Sequence, residues 1–123
     1  MGAVVFYTLG IGKTPQEAFA QLREEARYEY GHGGYTGTIA NKDSFIMLAN
    51  KPFEDAHAVE TEGERYIDNN DDRIYSKFAP AGCLPVELIK SDRGYLRVKD
   101  FHKNNKIPKD KVVSWLFFGW ANS

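Results

Sequence analysis

Only one cysteine, Cys83, stands among the 123 residues, so no internal disulfide can form and the expected compartment is the reducing cytoplasm. Histidine is nearly as scarce. His32, His57 and His102 fall at none of the short spacings, with one another or with Cys83, that mark a zinc site, and no metal or cofactor is expected. Neither sign of charge predominates: 16 lysines and arginines against 17 acids leave a formal charge of -1, which removes any global pull toward nucleic acid or a membrane. Long hydrophobic runs are missing too. Ala3 to Leu9 is apolar, but it has no basic residue before it and is too short to span a bilayer. Met1-Gly2 lacks the Ser or Thr that myristoylation requires where Phe6 stands.

Intact catalytic signatures are absent as well. Gly12-Lys13-Thr14 sits between a predicted strand and a predicted helix, where a phosphate-binding loop would lie, but the glycine required five residues before Gly12 is Tyr7. A turn followed by a helix cap is the better reading. Asp68-Asn69-Asn70-Asp71-Asp72 begins like a calcium loop, yet Arg73 replaces its glycine and Ala79 its closing glutamate. Cys83 reads as a small buried residue rather than a nucleophile, because nothing in the sequence supplies its base.

What is present suffices for one core: 42% of the residues are hydrophobic and 14% aromatic, in a chain of ordinary domain size. Ala3 to Leu9 reads as a strand buried on most of both faces. Thr14-Pro15-Gln16-Glu17 signals a helix start, with threonine as cap and proline in the first turn. Phe19, Leu22, Ala26 and Tyr30 then share one face of that helix. Tyr35 to Ala40 and Ser44 to Ala49 read as a hairpin, 51–77 as a long irregular excursion, and Leu84 to Lys90 with Tyr95 to Phe101 as a second hairpin. Val112 to Trp120, the most apolar run, is the expected central strand. The sum is a single α+β domain over residues 1–123, a mostly antiparallel sheet of about five or six strands with one main helix packed on one face. The other face awaits a cover, from the middle segment or from a second copy of the chain, since seventeen aromatics make a homo-oligomer plausible.

Charge is segregated even though it balances. Glu54 to Asp72 holds eight acids against Arg65, and Lys90 to Lys111 holds eight bases against three acids. Such blocks are usually solvated surfaces; nucleic-acid binding on the basic one is the sharper alternative.

The densest chemistry lies in Tyr28 to Thr38, where Tyr28, Tyr30, His32, Tyr35, Thr36 and Thr38 are punctuated by Gly31, Gly33, Gly34 and Gly37. Glycines let a backbone approach a ligand, Tyr and His can stack on a base, and Thr can bond phosphate or sugar oxygens. With Arg23 and Arg27 one helical turn apart before it, this segment is the candidate wall of a nucleotide-sized pocket formed by Arg23, Arg27, Tyr30, His32, Gly34, Tyr35, Thr36 and Thr38. The plain alternative is a helix cap, a tight return and ordinary strand residues. No catalytic residue is assigned; were the protein a transferase or hydrolase, His32 would be its acid or base, with Tyr30, Tyr35 or Thr36 orienting substrate.

The strings Tyr28-Glu29-Tyr30-Gly31-His32-Gly33-Gly34-Tyr35-Thr36-Gly37-Thr38-Ile39-Ala40, Pro80-Ala81-Gly82-Cys83 and Phe117-Phe118-Gly119-Trp120-Ala121 resemble a group of small uncharacterised proteins encoded by tailed phages and prophages. That resemblance implies an accessory protein made inside an infected bacterium, of the kind that disables a host factor or sequesters a host signalling nucleotide in counter-defence. It carries no activity over to named residues. The expected partner is a small nucleotide-like anion or a host protein, engaged without catalysis.

Overall fold

The most apolar stretch of the chain becomes the middle of a sheet. The computed structural model describes residues 3–30 and 38–122. In it β4 (Ser114–Asn122) lies between β1 (Ala3–Ile11) and β3 (Ala81–Pro85), antiparallel to both. A strand with neighbours on both edges and layers on both faces must be apolar throughout. Adjacent Phe117 and Phe118, which alternation sends to opposite faces, are accordingly both fully buried. A short β2 (Phe45–Met47) pairs in parallel with β3, giving the order β1-β4-β3-β2 among the described residues.

The helix signalled by Thr14 forms as expected: α1 (Pro15–Tyr30) starts where the Thr14 hydroxyl accepts the Glu17 amide at 3.1 Å. Its buried stripe of Ala18, Phe19 and Ala26, with Leu22 beside it, packs on Phe6, Cys83 and Phe117. Phe19, Phe45 and Phe117 touch as a ring triad with centroids 5.0 to 5.5 Å apart. The opposite face is covered by α2 (Ala56–Asp68) and α3 (Tyr95–Asn104), whose Val59, Ile67 and Val98 meet Leu84, Leu116 and Phe118.

The α+β class therefore holds, but the sheet is mixed and four-stranded, and three helices divide over both faces instead of one lying on one face. Three local differences explain this. The expected excursion over 51–77 contains α2, capped by Asp55, which accepts the Ala58 amide at 2.8 Å. Its buried stripe is Val59, Gly63 and Ile67, and the glycine at the centre hides the period. A Cβ at Gly63 would lie 3.2 Å from Leu116 Cδ2, so a larger residue there would require the Leu116 side chain to shift by a few tenths of an ångström.

The second expected hairpin is instead β3 followed by a helix. The stretch Tyr95 to Phe101 alternates weakly, whereas Tyr95, Val98 and His102 recur at the three- and four-residue spacing of α3, entered through Gly94 at φ 92°. Of the first expected hairpin, Ile39–Asn41 is a single 3-10 turn, β2 finds its partner in β3, and Tyr35 to Gly37 lie outside the described residues. Finally, β1 is an edge strand with Val4 and Tyr7 exposed, not a strand buried on most of both faces.

Candidate functional site

The residues singled out from the sequence part company in the fold. Arg23 is half-buried, its guanidinium 5.7 Å over the Phe19 ring and 3.8 Å from the Asp43 carboxylate, so its charge already serves a packing contact. Arg27 is half-buried in the last turn of α1. The Thr38 hydroxyl accepts the Ala40 amide at 3.2 Å and caps the 3-10 turn. Tyr30 ends α1, while His32, Gly34, Tyr35 and Thr36 lie outside the described residues. The concavity at this end of α1 is lined by Glu24, Glu25, Tyr28 and Glu29, whose three carboxylates oppose an anion.

A better-furnished cleft of about 470 Å³ opens at the other helical layer, where β3 has ended and β4 is about to begin. That volume is within the range of small-molecule sites. After β3 the chain stays extended: the Val86 amide donates to the Ser114 carbonyl at 3.1 Å, and the Ser114 hydroxyl donates to the Val86 carbonyl at 2.7 Å. These two segments form the floor with Leu88, Val112 and Val113. One wall is a stripe of α3, Tyr95, Val98, Lys99 and His102, spaced three, four and seven residues apart. The loop 109–111 closes the other side and brings Lys109, Asp110 and Lys111.

His102 holds that loop in place. Its carbonyl accepts the Ile107 amide at 2.9 Å, and its Nδ1 lies 3.3 Å from the Ile107 carbonyl oxygen. A carbonyl only accepts, so Nδ1 carries the hydrogen of that contact and Nε2 is the ring atom left for another partner. Lys99, Lys109 and Lys111 thus share one cleft with His102 and the Tyr95 phenol, over an apolar floor, with Glu87 and Asp110 as the opposing charges.

Cys83 and Ser114 are both committed to the interior. Cys83 is fully buried on the α1 face, and burial pushes its thiol far above the usual range, which keeps it protonated and inert. The Ser114 hydroxyl is buried and committed to the Val86 carbonyl. Among the described residues no group of three or more His, Cys, Asp or Glu could hold a metal ion, and no helix is long and apolar enough to cross a membrane.

Compared with known proteins, the chain matches no family model, no curated protein and no solved structure. The cleft was visible in the sequence only as the basic block Lys90 to Lys111, which the fold divides: Lys99, Lys109 and Lys111 reach the cleft, while Arg93 and Arg97 face β1 and α2. The signal that could have found it is the spacing of Tyr95, Val98, Lys99 and His102, which reads as a helical stripe once the hairpin alternative is set aside.

Proposed function

We propose that the protein binds a small nucleotide-like anion without transforming it, in the cleft between α3 and the strand ends. The observation that carries this reading is the gathering of Lys99, Lys109, Lys111 and His102 around a concave floor made of valine and leucine. Cations over an apolar floor suit a ligand with a flat, weakly polar ring system and a charged tail, which is the chemistry of a nucleotide. In the phage setting that the resemblance implies, the ligand would be a host signalling nucleotide, and holding it would be a counter-defence.

Calorimetric titration with mono-, di- and cyclic nucleotides, beside inorganic phosphate, tests the proposal. Micromolar binding of at least one nucleotide is expected, with phosphate weaker. The paired change Lys99→Glu and Lys111→Glu should lower affinity at least about tenfold, as expected when charge-assisted contacts turn repulsive. Absence of heat at high micromolar nucleotide would overturn the small-ligand reading.

A second reading, engagement of a host protein through the Tyr28 to Thr38 segment, is favoured by Tyr28, which is 92% exposed near the end of α1. Under it, Tyr28→Ala combined with Gly34→Val would abolish capture of a host protein in a pull-down and leave nucleotide titrations unchanged.

A further inference from the structure

The two edges of the sheet are unlike. β2 is three residues long, too short to template another strand, whereas β1 offers nine residues, AVVFYTLGI, paired on one side only among the described residues. Its register with β4 runs without interruption from Ala3↔Asn122 to Ile11↔Ser114, so no bulge twists the edge away. It holds no proline and no charged residue. Side chains of α1 and α3 flank it at Leu9 and Ile11, but an edge strand with no proline, charge or bulge is ordinarily covered by something further.

The flanking charges indicate what covers it. On the face shared with α2 and α3, the strand presents Val5, Tyr7 and Leu9. Arg93 and Arg97 of the α3 region line a cleft of about 320 Å³ with Leu9 and Glu60. Farther back along the strand, Glu64 and Asp68 of α2 stand close to Tyr7: burial first, then these two carboxylates, hold its phenol above the usual range. Arg93 and Arg97 therefore stand beside the C-terminal part of the edge, with Glu60 and Glu25 near them, and Glu64 and Asp68 stand beside its middle.

We infer that β1 pairs antiparallel with β1 of a second copy of this chain, forming a two-fold dimer in which Arg97 of each protomer faces the Asp68 region of the other. An axis perpendicular to the sheet near Tyr7 puts Leu9 of one protomer opposite Val5 of its partner and keeps α2 and α3 of both on the same side. That operation brings Arg97 of each protomer toward Glu64 and Asp68 of the other, twice. A parallel arrangement would instead place like charges together.

Charge exchange tests this directly, by sedimentation or light scattering of the full chain. The wild type is expected at twice the 14.0 kDa chain mass. Arg97→Glu alone and Asp68→Arg alone should each raise the dimer dissociation constant about tenfold or more, each creating two like-charge contacts. Mixing the two single variants should restore the dimer, because every cross-contact is then oppositely charged, and the double variant should restore it too. A wild-type monomer at high micromolar concentration would overturn the inference. So would a dimer indifferent to both single changes, or single variants that do not recover on mixing. Circular dichroism of each variant separates loss of pairing from loss of fold.

Discussion

The two faces of the sheet are covered by different means, and the difference decides where ligands can go. On one face α1 is a single helix of sixteen residues, and the ring triad of Phe19, Phe45 and Phe117 interlocks it with the strands. On the other, α2 and α3 are shorter, and the spaces they leave against the strand ends and β1 are the clefts of about 470 and 320 Å³. One long helix produces packing. Two short ones at intervals produce concavity, and their ends and loops bring charge to its rim.

Substitutions should separate the two faces. The largest effect is expected from Phe117→Ala on the α1 face, where a fully buried ring with two aromatic neighbours is removed: about 3–5 kcal/mol of stability in urea unfolding. Binding in the α3 cleft should persist wherever the protein remains folded.

The same face contains a buried cation, which supplies the next test. Lys42 is 1% exposed, and its Nζ donates to the carbonyls of Ala79 at 2.7 Å and of Ser76 and Lys77 at 3.3 Å, with no carboxylate among these partners. Burial lowers its ammonium from an ordinary 10.5 to about 8. Between those values the unfolded chain holds a proton that the folded chain has released. Stability from this group therefore rises as pH is raised from about 8 toward 10.5, by at most about 1.4 kcal/mol per pH unit. Lys42→Met should remove that rise, read as the difference between the urea-unfolding curves of the two proteins near neutral pH and near the upper end of the window.

On the α2/α3 face, Val98→Ala should cost about 1.5 kcal/mol, from two buried methyl groups. Val98 lies on the cleft wall, so this change should also alter nucleotide affinity, which Phe117→Ala should not. If both truncations weakened binding equally, the contrast between a sealed face and a binding face would fail.

How far the sequence could be read follows the same division. The α1 face was open to it: the Thr14 cap, the stripe of Phe19, Leu22 and Ala26, and the apolar run of β4 all lie within short windows and formed as expected. The opposite face was not. Gly63 interrupts the buried stripe of α2, the stretch after Gly94 alternates just enough to imitate a strand, and β2 is only three residues long. The cleft gathers Val86 and Leu88 with Lys99, His102 and Lys111, which no window of sequence unites. Of the glycine-rich segment, only its ends at Tyr28 and Thr38 can be compared with side chains in the fold, the first exposed and the second a cap.

Capping and helical or strand period act between near neighbours, so residues alone determined where α1 begins, that β4 is buried on both faces, and that the lone Cys83 has no internal disulfide partner. Tertiary structure decided which strand lies at the edge, which lysines share a cleft, and which face is sealed. Those outcomes depend on pairings between distant segments, selected by how completely each arrangement removes apolar surface from water, a quantity that belongs to the whole fold and to no stretch of it.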